Sequence, residues 1–60
     1  MDLRIKKTKR AIRSAFYELI KEKPLEKITV REIAERAEIN KTTFYAHYED
    51  IYELSSRLEN

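Results

Sequence analysis

Apolar side chains recur at helical spacing in four stretches of the chain. In the first, Thr8, Ala11, Ile12, Ala15, Phe16, Leu19 and Ile20 fall on one stripe, with Arg10, Arg13, Glu18, Lys21 and Glu22 largely off it. That pattern predicts an amphipathic helix over about residues 4–22. Pro24 pushes Lys23 out of helical conformation and ends it. Leu25 and Ile28 are then the apolar points of a short loop. Val30, Ile33, Ala34 and Ala37 occupy i, i+3, i+4 and i+7 of a second helix, expected over 30–37, and a third over 41–48 carries Phe44 and Tyr48 on its inner side. Ile51, Leu54, Ser55 and Leu58 continue the spacing into a fourth. Its stripe exceeds what three short helices need to cover, and no Gly or C-cap ends it before Asn60, so the chain is expected to continue.

Two helix-start signals lie eleven residues apart, at Thr29 and Asn40. Thr29 can cap the Glu32 N–H while the Glu32 carboxylate reaches back to the Thr29 N–H, and Ile28 is spaced to staple onto Ile33. Asn40 repeats the cap and Ile39 the staple, onto Phe44, with Thr43 in place of the acidic partner. Such close starts require a tight turn. Its left-handed position falls on Glu38, at a cost of about 1 kcal/mol relative to Gly. Ala34 is small where the two helices cross, and a larger residue there would force them apart. The expected fold is all-α: a three-helix, homeodomain-like helix-turn-helix over residues 1–50, then the start of a connecting helix over 51–60.

The third helix is unusual in what it leaves outside. At about 100° per residue, an inward Phe44 turns Thr42 and Ala46 the opposite way, flanked by Lys41, Thr43 and Tyr45. A solvated face ordinarily carries Glu and Lys. Thr and Ala can approach a thymine methyl, Thr and Tyr can donate to phosphate, and Lys can reach phosphate or a guanine edge. The plainer alternative is the outside of a small bundle. Arg31, on the outer side of the second helix, divides in the same way between phosphate or base contact and simple solvation.

Composition narrows the remaining classes. Sixty residues allow one domain, which buries only about 60% of its unfolded surface. There is no Cys, so disulfides, thiolate nucleophiles and Cys-based zinc sites are excluded. His47 is the only His and has no partner at ligand spacing, so neither a metal nor another cofactor is expected. Absence of Gly and a single Pro favour helix throughout. No apolar run approaches the roughly 18 residues of a membrane span and no signal-peptide pattern opens the chain, so a soluble, cytoplasmic protein without a membrane partner is expected. Net charge is only +2 but unevenly spread. Residues 1–14 set Arg4, Lys6, Lys7, Lys9, Arg10 and Arg13 against Asp2, whereas residues 41–60 set Lys41 and Arg57 against Glu49, Asp50, Glu53 and Glu59. The basic end suits a phosphate backbone or a solvated helix start equally. Of the tyrosines, Tyr17 and Tyr52 read as rim or core packing, Tyr48 as core and Tyr45 as functional.

The runs Ile28-Thr29-Val30-Arg31-Glu32-Ile33-Ala34-Glu35-Arg36-Ala37 and Lys41-Thr42-Thr43-Phe44-Tyr45-Ala46-His47-Tyr48 closely resemble the DNA-binding domain of TetR/AcrR-type transcriptional regulators. Thr8, Ile12, Ala15, Phe16 and Leu19 look like that family's first helix. Glu38 and Asn40 stand where Gly and Ser are usual, and Ile51 where a phosphate-contacting Lys is common. The resemblance implies a homodimeric, repressor-like regulator whose C-terminal domain, not in this chain, dimerises and binds a small-molecule effector. Carried onto these residues, it makes Lys41, Thr42, Tyr45 and Ala46 contacts to base edges or methyls. It makes Thr29, Thr43, Tyr45 and His47 phosphate anchors, and Arg31 a reader of a base. Two recognition helices about 34–36 Å apart would then read a palindromic operator in double-stranded DNA. A lone domain would bind weakly.

Three function classes follow. The first is sequence-specific DNA binding. The second is a protein-interaction module of the same fold that has lost operator binding, consistent with the near-neutral charge and with Ile51. The third, an enzyme, finds no nucleophile–base pair, Gly-rich phosphate loop or metal set to support it.

Overall fold

Twenty residues of predominantly helix-favouring sequence form the first and longest element of the computed structural model, helix α1 at Leu3–Glu22. The structure describes residues 3–58, with side chains from Lys6. Asp2, the Arg4 side chain, Glu59 and the course of the last helix beyond Leu58 therefore lie outside the described residues. Helix α1 closes with the Lys23 N–H donating to the Leu19 carbonyl at 3.0 Å. What the sequence leaves as a loop is then one 3-10 turn, Leu25–Lys27. Pro24, with its φ preset at −68°, leads into it, and the Lys27 and Ile28 N–H groups donate to the Pro24 and Leu25 carbonyls at 2.9 and 3.1 Å. Helices α2 (Val30–Ala37), α3 (Lys41–His47) and α4 (Ile51–Leu58) follow, and no strand occurs among the described residues.

The helix starts are built as their sequences require. Thr29 Oγ1 accepts the Glu32 N–H and Glu32 Oε1 accepts the Thr29 N–H, each at 3.2 Å. Asn40 Oδ1 accepts the Thr43 N–H at 2.8 Å, and Asp50 Oδ1 accepts the Glu53 N–H at 2.7 Å. Glu38 takes the left-handed conformation at φ 59°, ψ 42°. There its N–H donates to the Glu35 carbonyl while the Ile39 N–H reaches back to the Ala34 carbonyl at 2.9 Å. That pair of bonds is a Schellman closure, and it offsets the left-handed cost by satisfying the carbonyls at the end of α2. Helix α3 is one residue shorter than its sequence predicts. Tyr48 keeps an N–H bond to the Phe44 carbonyl at 2.9 Å, but its backbone is extended, at φ −140° and ψ 143°, redirecting the chain toward the Asp50 cap.

A single core joins all four helices. Ile12, Ala15, Phe16 and Leu19 of α1 meet Ile28, Ile33, Phe44, Tyr48, Ile51 and Leu54, with Leu25, Val30, Ala37, Ile39 and Leu58 packed around them. One apolar assignment changes. Ile20 is 38% exposed because it lies about 80° round the helix from Ile12. Tyr17 and Tyr52 are 49% and 61% exposed, each more than 100° from its helix's core line, which leaves the rim and not the core of the two places expected for them. The excess stripe expected on α4 is absent among the described residues: Ile51 and Leu54 are buried and Leu58 half-buried in this same core.

Ion pairs bind α1 to α2 at the rim. Arg36 Nη1 lies 3.2 Å from Glu18 Oε1 and 2.6 Å from Glu22 Oε2, and Lys23 Nζ donates to Glu32 Oε2. The Glu22 and Glu18 carboxylates hold the Arg36 guanidinium above its ordinary range. The Lys23 ammonium, helped by the Thr29 hydrogen bonds and opposed by partial burial, holds the Glu32 carboxyl below its usual 4.5. A carboxyl depressed by folding stabilises the native state above its unfolded pKa, and that contribution disappears as pH falls through the folded value. Glu32→Gln, which can still cap Thr29, should therefore flatten the fall of Tm below about pH 4.5. Melting curves at stepped pH check this, and an unchanged acid limb would refute it.

Candidate nucleic-acid interface

Helix α3 is fixed in rotation by one side chain. Phe44 is fully buried, and with Tyr48 packed at a ring separation of 5.7 Å it holds the seven-residue helix against the core. Everything on the opposite side is thereby turned outward. Lys41, Thr42, Tyr45 and Ala46 are exposed together, while Thr43 and His47 are half-buried at the margins. Tyr45 stands edge-on to Phe44, with ring centroids 5.6 Å apart at 87°. This contact positions the ring and leaves the residue 54% exposed. The His47 imidazole lies 6.4 Å from the Tyr48 ring, at the C-terminal end of the helix.

No carboxylate occurs from Lys41 to Tyr48. An α-helix is about 10–12 Å across with its side chains, a match to the roughly 12 Å width of a B-DNA major groove. Two small groups, Thr42 and Ala46, allow close approach at the centre of the face, and Lys41 and Tyr45 provide donors beside them.

The remaining expected residues stand differently. Thr29 and Arg31 are exposed at the N-terminal end of α2, and among the described residues no hydrogen bond or ion pair ties them to α3. The Thr29 hydroxyl donates to Glu32 Oε1 at 3.2 Å, and the Thr43 hydroxyl to Asn40 Oδ1 at 3.0 Å. Either must break that bond to donate to a phosphate. Arg31 Nε donates to Glu35 Oε1 at 3.1 Å, a solvent-exposed pair of small worth that leaves the other guanidinium N–H groups to a partner. Ile51 is buried, so its position offers no side-chain anchor to a backbone.

The basic end of α1 was legible in the sequence, but the cleft it helps to form was not. Lys6, Lys9, Arg10 and Arg13 line an open cleft of about 460 Å³ together with Tyr48, Arg57 and Leu58. The helical spacing of the first four was a legible signal; Arg57 joins them only through the packing of α4. Among the described residues no group of three or more His, Cys, Asp or Glu side chains could hold a metal ion, and no helix is long and apolar enough to cross a membrane.

Comparison with known proteins agrees with this geometry. A family profile described as bacterial regulatory proteins, tetR family, matches residues 12–58, from the centre of α1 to the end of α4. No curated protein and no solved structure matches the chain.

Proposed function

The chain belongs to the tetR family of bacterial regulatory proteins, DNA-binding regulators of transcription, and from that premise we propose that α3 enters the major groove of double-stranded DNA. The observation that carries the reading is the outward, carboxylate-free face of Lys41, Thr42, Tyr45 and Ala46 opposite the buried Phe44. On this reading Lys41, Thr42, Tyr45 and Ala46 meet base edges or thymine methyls. Thr29, Thr43, Tyr45 and His47 anchor phosphates, Thr29 and Thr43 after releasing Glu32 and Asn40. Arg31 exchanges Glu35 for a base or phosphate. Contacts of the second kind set register, and those of the first read sequence.

The finer reading is a cytoplasmic, ligand-responsive repressor. It dimerises through a C-terminal domain beyond α4, and an effector bound there alters the spacing of two recognition helices on a palindromic operator. Duplex binding measured at stepped salt should show log K falling linearly with log salt. Tyr45→Ala should weaken binding by roughly tenfold, about 1.4 kcal/mol, with little change in helicity. The buried Ile51 side chain, which offers no anchor to a phosphate, favours the protein-interaction module as the second reading; association indifferent to salt, or no duplex binding even by an artificially dimerised chain, would select it.

A further inference from the structure

Lys6, Lys9, Arg10 and Arg13 stand at i, i+3, i+4 and i+7 of α1, so one face of the helix carries all four. The cleft they line is completed by Arg57 and Leu58 from α4 and by Tyr48. Among the described residues no carboxylate lines it. Among the described residues the ion pair reaching these five cations is a long one, Arg57 Nε to Glu53 Oε1 at 3.6 Å, on exposed side chains. The arrangement works against the helix that bears it. Lys6 with Arg10 and Lys9 with Arg13 are like-charge i, i+4 pairs, which destabilise a helix, and no acidic residue in the first turn of α1 offsets them.

We propose that the cleft between α1 and α4 is a binding site for a small, multiply charged phosphate anion of the polyphosphate class. Arg10, Arg13 and Arg57 supply guanidinium forks suited to phosphate oxygens, and Lys6 and Lys9 add charge at the cleft edge. The volume falls within the roughly 300–1,000 Å³ of small-molecule sites. The cleft is open to solvent and takes its walls from two helices, so a compact anion can enter it. An anion held there neutralises the repulsion along α1 and clamps α4 to it. The site is separate from the exposed face of α3 and does not depend on how that face reads DNA.

The test uses the 60-residue chain with inorganic tripolyphosphate, against sodium chloride at matched ionic strength. Tripolyphosphate at about ten times its Kd should raise Tm by about 5 °C or more, and it should move the backbone amide resonances of residues 9–13 and of Arg57. The double variant Arg10→Gln, Arg13→Gln removes like charges from an exposed face, so it should melt no lower than the parent and lose most of that rise. Arg57→Gln, on the other wall, should stay helical and lose it also. An equal rise in parent and variants, or resonance changes centred on α3, would overturn the site. Adding a short duplex separates the sources of phosphate. Changes confined to α3, with tripolyphosphate still in the cleft, support a free anion. Displacement of tripolyphosphate by the duplex would assign the cleft to the DNA backbone and overturn the proposal.

Discussion

Replacing Phe44 with alanine should leave the chain unfolded at room temperature. The ring is fully buried, it packs against Tyr48 and Tyr45, and it belongs to the core that α1, α2 and α4 also build. Truncating such a ring costs about 3–5 kcal/mol, through lost transfer energy and the cavity left behind. A domain of sixty residues commands only about 3–9 kcal/mol in total. Far-UV circular dichroism with a thermal melt reads the result directly. A variant as helical and as heat-resistant as the parent would show that Phe44 does not anchor α3, and the outward orientation of Thr42, Tyr45 and Ala46 would lose its cause.

Leu54→Ala should be nearly as damaging, at about 2–5 kcal/mol, and it tests α4. The side chain is fully buried among residues of the other helices, so α4 contributes to the same core. Tyr52, two residues earlier and 61% exposed, is the internal control. Tyr52→Ala should stay within about 0.5 kcal/mol of the parent. If the two variants melted alike, α4 would be an appendage on a three-helix core, and the packing described for Leu54 would be wrong.

These two residues also mark what could be read from the letters. Phe44 was legible because α3 is short, begins at an unambiguous Asn cap and carries one aromatic at the position that meets Ile39; local rules fix its rotation. The same rules placed the Thr29–Glu32 box and the left-handed turn at Glu38, since both are settled within a few residues of chain. Leu54 was legible as apolar, but not as core of this domain, because periodicity says that a face is buried without saying against what. Ile20 was misplaced for a related reason: a stripe has edges, and which edge is covered depends on where α2 lies. The extended backbone at Tyr48 answers to the docking of α4, a tertiary demand that outweighs the local preference to add one more helical residue.

The candidate interface divides along the same line. Exposure of Lys41, Thr42, Tyr45 and Ala46 follows from the rotation of one helix and was foreseeable. The commitments of the Thr29 and Thr43 hydroxyls to Glu32 and Asn40 are side-chain choices made after the backbone is set. The cleft of α1 and α4 needed Arg57 to be brought beside residues more than forty positions away, which no local spacing reveals.

Binding-site selection from random duplexes, using the chain joined as an artificial dimer, tests most directly whether the outward face of α3 reads DNA. The expected result is a palindrome with half-sites about 10–10.5 base pairs apart, or a multiple of that spacing, whose enrichment collapses with Thr42→Ala or Tyr45→Ala while the helical signal persists. Recovery of no common sequence, or of one that both variants bind as well as the parent, would contradict it.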